Sequence, residues 1–383
     1  MKQAQQTPAT ASMRILLLGP HPPYSGGSAY SCRELSSGLR ALGHEVHHFA
    51  PHPSFYSDET PGVRWIPTQF HSDGLAIDGE WVEAMNLVVA AGIDELGPFD
   101  HVVLGRESFL WNLPGLRTRH HGPITLVCRG AYVNHLAHHG DKDPRIATRL
   151  AELYRSCDQI VCVARHLVPT LTRISRHPHI RFIPNPIDLD TAIAASSSRS
   201  SAASSMPLRL LFAGQLKTRK RPADVVRVLE RLLLTGVDAE LTVCGEGPLE
   251  ESLRTQVADG VLTHHVRLLG NIEHDRLLAM LPAFDVVLLL SEHEGRPRIL
   301  QEAVAARRAV VASTTPGSRE AVEGWPLSRL VSIGDIAAAA AAAQQLGDII
   351  RRPGFEPPAA VLPRPDEALA AFELALRQLS GQW

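Results

Sequence analysis

Short, uninterrupted apolar runs punctuate this chain. The first, Met13–Leu18, ends at Gly19, and the stretch 20–27 that follows is broken by prolines and glycines, as a loop is. An apolar run that stops at glycine fits a parallel strand, which is covered on both faces and so needs no polar positions. Residues 28–42 change period: Leu35, Leu39 and Leu42 share one helical face, and Gly43 stops the helix. Strand-like runs return at Glu45–Ala50, His101–Gly105, Ile124–Cys128, Gln159–Val163 and Ile180–Pro184, with helix-like stretches between most of them. Strands that alternate with helices predict a parallel sheet covered on both faces.

The pattern then stops and begins again. Residues 191–207 are dominated by low-complexity Ser and Ala, which supply no core and read as a flexible linker. Apolar runs resume at Leu208–Ala213, Glu240–Cys244, Val266–Leu269, Phe284–Leu290, Ala309–Ala312 and Arg329–Ser332. Two α/β units of similar size are expected, 13–190 and 208–352. Ligands of such sheets bind beyond the carboxyl ends of the strands, so the two units are expected to face one cleft. Residues 353–383 read as a Pro-rich connector and a last helix over 366–380, which the pattern assigns to neither unit. The polar residues 1–12 read as a disordered extension, with no apolar stretch of a signal peptide.

Composition narrows the function classes. With 44% hydrophobic residues, 20% charged residues and a net charge of −2, the chain reads as a globular protein with no nucleic-acid signal. No apolar run is long enough to span a bilayer, which leaves peripheral membrane contact open. The run Ala337–Ala343 reads as helix former rather than membrane segment. Five dispersed cysteines without a C-x-x-C pair fit a reducing cytoplasm, its membrane face included, better than a disulfide framework.

The richest chemistry lies at Ser291-Glu-His-Glu294-Gly-Arg-Pro-Arg-Ile-Leu-Gln-Glu302-Ala-Val-Ala. An apolar strand runs into a loop, and Pro297 opens a helix at a favoured first-turn position. The free amides of that turn, near Arg298, Ile299 and Leu300, form an anion seat. Glu294 stands just before the helix and Glu302 inside it. Two carboxylates flanking an anion seat suit a ligand with phosphate at its centre and hydroxyls at each end, as in a nucleotide sugar. Taken alone, the pair could be helix-terminus carboxylates.

This segment resembles the E-x7-E motif of retaining glycosyltransferases of family 4, written E-G-x-P, four residues, then E-A-x-A. Glu294, Gly295, Pro297, Glu302, Ala303 and Ala305 match in place. Other landmarks follow in the family's order. Leu211-Phe-Ala-Gly214-Gln-Leu-Lys-Thr-Arg-Lys220 resembles the segment whose Arg and Lys grip the diphosphate. Gly245-Glu-Gly-Pro248 and Gly270-Asn271 resemble its strand-end glycine turns, and Thr315-Pro-Gly317-Ser-Arg-Glu320 the loop after the motif helix. Gly26-Gly27 resembles its amino-terminal glycine loop, and Ile183-Pro-Asn185-Pro-Ile-Asp188 its I-P-N-G-V-D turn. The ordered set is far more specific than any piece.

The resemblance implies the GT-B fold, two Rossmann-like domains facing a cleft, and retaining, metal-independent transfer without a cofactor. It implies a UDP- or GDP-linked donor sugar, with Glu294 on the sugar hydroxyls, Glu302 on the ribose and Lys220 on the diphosphate. Gly214, Gln215, Arg219, Gly245, Gly295, Arg298, Ile299 and Leu300 complete the expected donor site. Gly26, Gly27, Arg129 and Asn185 fall on the acceptor side, and the acceptor is not named by sequence. Three departures stand out. Gln215 occupies the place of the usual Arg, so Arg219 or Arg221 is the candidate replacement cation. Arg129 stands at a strand end that often carries His, and Pro186 replaces a common Gly.

Rival readings are a nucleotide-sugar epimerase of the same architecture and a binding protein that has lost catalysis. A nicotinamide enzyme is disfavoured because Gly19 to Gly26 lacks G-x-G-x-x-G spacing. Of the 19 histidines, 15 lie between His21 and His179. The cluster His135-Leu-Ala-His138-His139 puts two histidines on one helical face and invites a metal reading, but no third carboxylate or cysteine is placed and Asp141 is only suggestive, so they read as solvated or hydrogen-bonded histidines.

Overall fold

The computed structural model describes residues 11–23, 26–51, 60–66, 79–139, 144–196, 206–258 and 260–381. The expected extension over 1–10 and the centre of the Ser/Ala linker lie outside these. Ala11 and Ser12, read as part of the extension, are instead held against the fold: Arg377 donates to the Ala11 carbonyl and Ser12 to that of Gly43.

Two parallel sheets form two domains, each flanked by helices. The amino-terminal sheet has β1 (Arg14–Leu18), β2 (Glu45–Pro51), β3 (Val63–Ile66), β4 (His101–Leu104), β5 (Ile124–Cys128), β6 (Gln159–Cys162) and β7 (Ile180–Phe182), in the order β3-β2-β1-β4-β5-β6-β7. The carboxyl-terminal sheet has β8 (Leu208–Ala213), β9 (Ala239–Cys244), β10 (Val266–Gly270), β11 (Val286–Leu289), β12 (Ala309–Ser313) and β13 (Ser328–Val331), in the order β10-β9-β8-β11-β12-β13. Ile15 of β1 pairs with Val46 on one side and His101 on the other, and Leu210 of β8 pairs with Leu241 and Val286. The central strands are fully covered: Ile15 to Leu18 and Val286 to Leu289 have no exposed surface. That burial is why they read as unbroken apolar runs.

Strand order reverses between β1 and β4 in one sheet and between β8 and β11 in the other. Such reversals leave a crevice at the carboxyl ends, where open α/β sheets take ligands. The glycine loop follows β1, Gly214 follows β8, and Glu294 lies beyond β11.

Some sequence expectations shift. Helix Gly27–Ala41 buries Leu35 and Leu39, but Leu42 falls just past its end and is 41% exposed. Helix Asp190–Ser196 runs into the expected linker 191–207, and Ile187, Leu189 and Ala192 join the carboxyl-terminal core. The chain therefore crosses between domains near residue 185. The last helix, Pro365–Ser380, returns to the amino-terminal domain: Phe372, Ala375 and Leu376 pack with Ile15, Leu17 and Leu39. The alanine run lies in helix Ile336–Ile350, with Ala339, Ala340 and Ala343 buried in the second core. Among the described residues, no helix is long and apolar enough to cross a membrane.

Candidate active site

The carboxyl ends of both sheets line one cleft of about 690 Å³. Beyond β11 the chain turns at Glu294 and Gly295, and helix Arg298–Ala305 begins with Pro297 as its cap residue, one place later than the sequence suggests. Among the described residues no side chain caps this helix, which leaves its first-turn amides with donor capacity. All eight helix residues are buried, because the helix is wedged between its own sheet and the facing domain. Glu294 and Glu302 stand at the two ends of that amide seat, 8% and 2% exposed.

Lys220 reaches the same point from the segment after β8. Its Nζ makes an ion pair with Glu294 Oε1, and Arg219 Nη1 lies 3.6 Å from that oxygen. Burial penalises the Glu294 carboxylate, but Lys220 and Arg219 outweigh it and hold its pKa below the usual range. Glu294 is therefore an ionised, two-cation-bound acceptor at neutral pH. At Glu302 burial wins over the neighbouring Arg298 and raises the pKa. Glu302 Oε1 lies 3.2 Å from Arg298 Nε and 3.3 Å from His274 Nε2. Burial, then Arg298, lowers the His274 pKa to about 4, so its imidazole is neutral.

The cleft gathers Glu294, Glu302, Lys220, Arg219, Gly214, Gln215, Gly245, Gly295, Arg298 and Ile299 with Gly26, Gly27, Arg129 and Asn185. Leu300 is the exception: it is fully buried in the second core and does not line the cleft. The alternatives left open for Gln215 separate here. Arg221 is bound to Asp224 Oδ2 at 2.6 Å and Glu292 Oε1 at 3.2 Å, outside the lining, whereas Arg219 lines the cleft. Gln215 itself sits at the domain seam, with its Nε2 3.5 Å from where a β-carbon on Gly26 would lie. Arg129 is tied down by its own domain, donating Nε to the Gly105 carbonyl at 2.8 Å and Nη1 to Asn185 Oδ1 at 2.5 Å.

Several groups escape sequence reasoning. Glu107, fully buried, accepts from the amides of Gly130 at 2.8 Å and Arg129 at 3.2 Å, fixing the turn after β5. Tyr30 and His274 meet across the seam with their rings 4.4 Å apart, and Glu34 meets Arg298 there. Glu320 accepts from the Arg165 amide at 2.9 Å and contacts His166 Nδ1 at 3.1 Å, a second bridge between domains. Only Glu320 stands in a recognisable motif. His135 lines the cleft, while the side chains of His138 and His139 lie outside the described residues. Among the described residues, no group of three or more His, Cys, Asp or Glu side chains is placed to hold a metal.

Comparison with known proteins agrees with this architecture. Residues 25–191 match the model for Glycosyltransferase Family 4, and residues 195–348 match that for glycosyl transferases group 1. The chain is 27% identical over 368 residues to a glycogen synthase of Mycobacterium tuberculosis (strain CDC 1551 / Oshkosh), covering 88% of this chain and 86% of that protein. It is similar in fold to sucrose-phosphate synthase from Thermosynechococcus elongatus, with TM-score 0.70, 18% identity, and coverage of 96% of this chain and 98% of that one. It is also similar to Anabaena Alr3699/HepE in complex with UDP-glucose, with TM-score 0.67, 14% identity, and coverage of 96% and 95%. With a family match on each domain and the cleft between them, the chain belongs to the GT-B glycosyltransferases.

Proposed function

We propose that this enzyme transfers a sugar from a nucleoside-diphosphate sugar to an acceptor hydroxyl, with net retention at the anomeric carbon and no bound metal. The observation that carries this reading is the convergence of Lys220 and Arg219 on Glu294 beside the uncapped helix Arg298–Ala305.

A departing diphosphate gains negative charge as its bond to the anomeric carbon breaks. Lys220, Arg219 and the first-turn amides supply positive charge where that develops, which is electrostatic catalysis by groups already in place. The acceptor oxygen bonds to the anomeric carbon from the face the diphosphate leaves, and its proton passes to a diphosphate oxygen. Glu294, bound by two cations, is a weak nucleophile and a strong hydrogen-bond acceptor, so it orients the donor sugar. Glu302 takes the ribose hydroxyls. Helix Gly27–Ala41, packed over the seam, helps exclude water.

Donor turnover without acceptor tests the reading. UDP- and GDP-sugars are screened by proton NMR, with EDTA present. The first-formed free sugar is expected to keep the donor's anomeric configuration, at a rate unchanged by EDTA. Inversion would overturn the retaining assignment, and loss of turnover restored by Mg²⁺ or Mn²⁺ the metal-free one.

A further inference from the structure

Helix Arg298–Ala305 brings to the cleft more than amides. Arg298, its first residue, is 7% exposed, and its guanidinium is shared between the domains. Toward the amino-terminal domain, Nη1 and Nη2 grip the two oxygens of Glu34 at 2.5 and 2.8 Å, and Nη1 lies 3.2 Å from Ser31 Oγ. Toward its own domain, Nε donates to Glu302 Oε1 at 3.2 Å, and Nη2 lies 3.4 Å from His274 Nε2. Gly27 makes room for this: a β-carbon there would stand 3.1 Å from Arg298 Cδ. Ser31, Glu34 and Gly27 all belong to helix Gly27–Ala41.

A buried guanidinium must keep counter-charges, and a fork-to-fork carboxylate pair is the strongest it can have. While Glu34 takes the fork, only Nε is left for Glu302, and only Oε1 of Glu302 is engaged. Among the described residues no hydrogen bond is made to Oε2, which keeps its capacity to accept from a hydroxyl. Were Glu34 withdrawn or neutralised, Glu302 would be the remaining carboxylate beside Arg298. The guanidinium fork would then turn onto it and engage both oxygens.

We propose that Glu34 and Arg298 form a positioning pair that holds the Glu302 carboxylate open for the donor's ribose, and so make donor affinity depend on the approach of helix Gly27–Ala41. This rests on Glu302 addressing the ribose. Arg298 acts through Glu302, and Glu34 acts through Arg298.

The test compares Glu34→Gln, Glu34→Asp, Arg298→Met, Glu34→Gln with Arg298→Met, and Glu302→Gln. UDP and GDP are titrated by calorimetry, and the tighter one is carried through the set. Glu34→Gln is expected to weaken it about tenfold and to raise donor KM by a similar factor, with kcat within about twofold. Glu34→Asp should recover most of the affinity, and the double variant should bind no worse than Arg298→Met alone, since the two act in series. Deuterium exchange offers a second readout if Arg298→Met folds poorly: nucleotide should protect helix Gly27–Ala41 in the parent and not in Glu34→Gln. If Glu302→Gln weakens binding while Glu34→Gln binds like the parent, the positioning pair is wrong and the ribose assignment stands. If Glu302→Gln itself binds like the parent, the ribose assignment fails and the pair falls with it.

Discussion

The carbonyl oxygen of Arg129 lies 2.1 Å from where a β-carbon on residue 295 would sit. The turn that carries Glu294 thus meets the amino-terminal domain backbone to backbone, at the base of the cleft. No side chain fits there, and carbon and oxygen not bonded to each other need more than 3 Å. This makes Gly295 a spacer for the domain arrangement as well as part of the loop that carries Glu294. Glu294 is one residue away, so its placement against the other domain depends on the same contact.

Gly295→Ala must push the domains apart by about 1 Å at this point, and displacements of that size can cost about 100-fold in rate. Each domain keeps its own core, so the variant should stay folded. The expected result is a fall in kcat of about two orders of magnitude with intact circular dichroism and nucleotide affinity within a few-fold. A variant with parent turnover would show that the seam closes differently during catalysis.

Lys220→Ala should lower turnover by at least about 100-fold, or about 2.7 kcal/mol in barrier. It also leaves Glu294 buried with Arg219, 3.6 Å away, as its remaining cation among the described residues, and breaking a buried pair costs about 3–5 kcal/mol in stability. Adding Glu294→Gln removes the stranded charge. The double variant should therefore melt nearer the parent than Lys220→Ala does, yet remain inactive. Arg219→Ala should cut turnover as well, whereas Arg221→Ala should mainly lower stability, because Arg221 serves Asp224 and Glu292. Equal losses of turnover in the two arginine variants, at equal stability, would count against Arg219 as the second diphosphate cation.

What the sequence revealed and what it hid follow one physical division. Central strands announce themselves because covering both faces removes every polar position, as in Ile15–Leu18 and Val286–Leu289. The strand Val63–Ile66 went unread: it is four residues long, lies at the sheet edge, and exposes part of Val63, Arg64 and Trp65. That Glu294, Glu302 and Lys220 line one cleft was legible because each stands at a fixed offset from a strand end, and those offsets survive in the linear order. Contacts across the seam leave no such trace. Glu34 and Arg298 are 264 positions apart, and on its own Glu34 is one more polar residue of an amphipathic helix. Gln215 shows the same limit. Its register marks the place of the family's Arg, and nothing in the linear order shows that its Nε2 lies beside the glycine loop across the seam, 3.5 Å from where a β-carbon on Gly26 would lie.

The histidine-rich first half gives the last prediction. His48 and His101 have no exposed surface, and burial is the main cause that lowers each pKa to about 3. Both are built into the fold as hydrogen-bonded neutral rings. His48 Nε2 contacts the Gly19 carbonyl at 3.0 Å, and His101 Nε2 contacts Thr125 Oγ1 at 2.8 Å. Burial also lowers His21, His44 and His120. In an unfolded chain each would titrate near 6.5. A depressed folded pKa gives stability that is whole above the unfolded value and is lost as pH falls toward the folded one. The window therefore runs from about pH 6.5 down to about 3, and each fully buried ring contributes a slope of about 1.4 kcal/mol per pH unit within it. Two such rings give about 2.7 kcal/mol per unit, enough to exhaust a typical domain stability of 5–15 kcal/mol within a few units. In the second domain His274, lowered to about 4 chiefly by burial, acts in the same window but is a single ring, and Asp285 is held below its ordinary 3.8 because Arg209 and Arg351 outweigh its burial, so its contribution is lost only at lower pH. Amide exchange between pH 7 and 4 should thus show residues 13–184 losing protection before residues 208–350. His101→Gln should flatten the acid slope by the share of one fully buried ring, about 1.4 kcal/mol per pH unit. Earlier loosening of the second domain, or an unchanged slope in His101→Gln, would mean that the buried rings do not set the acid limit.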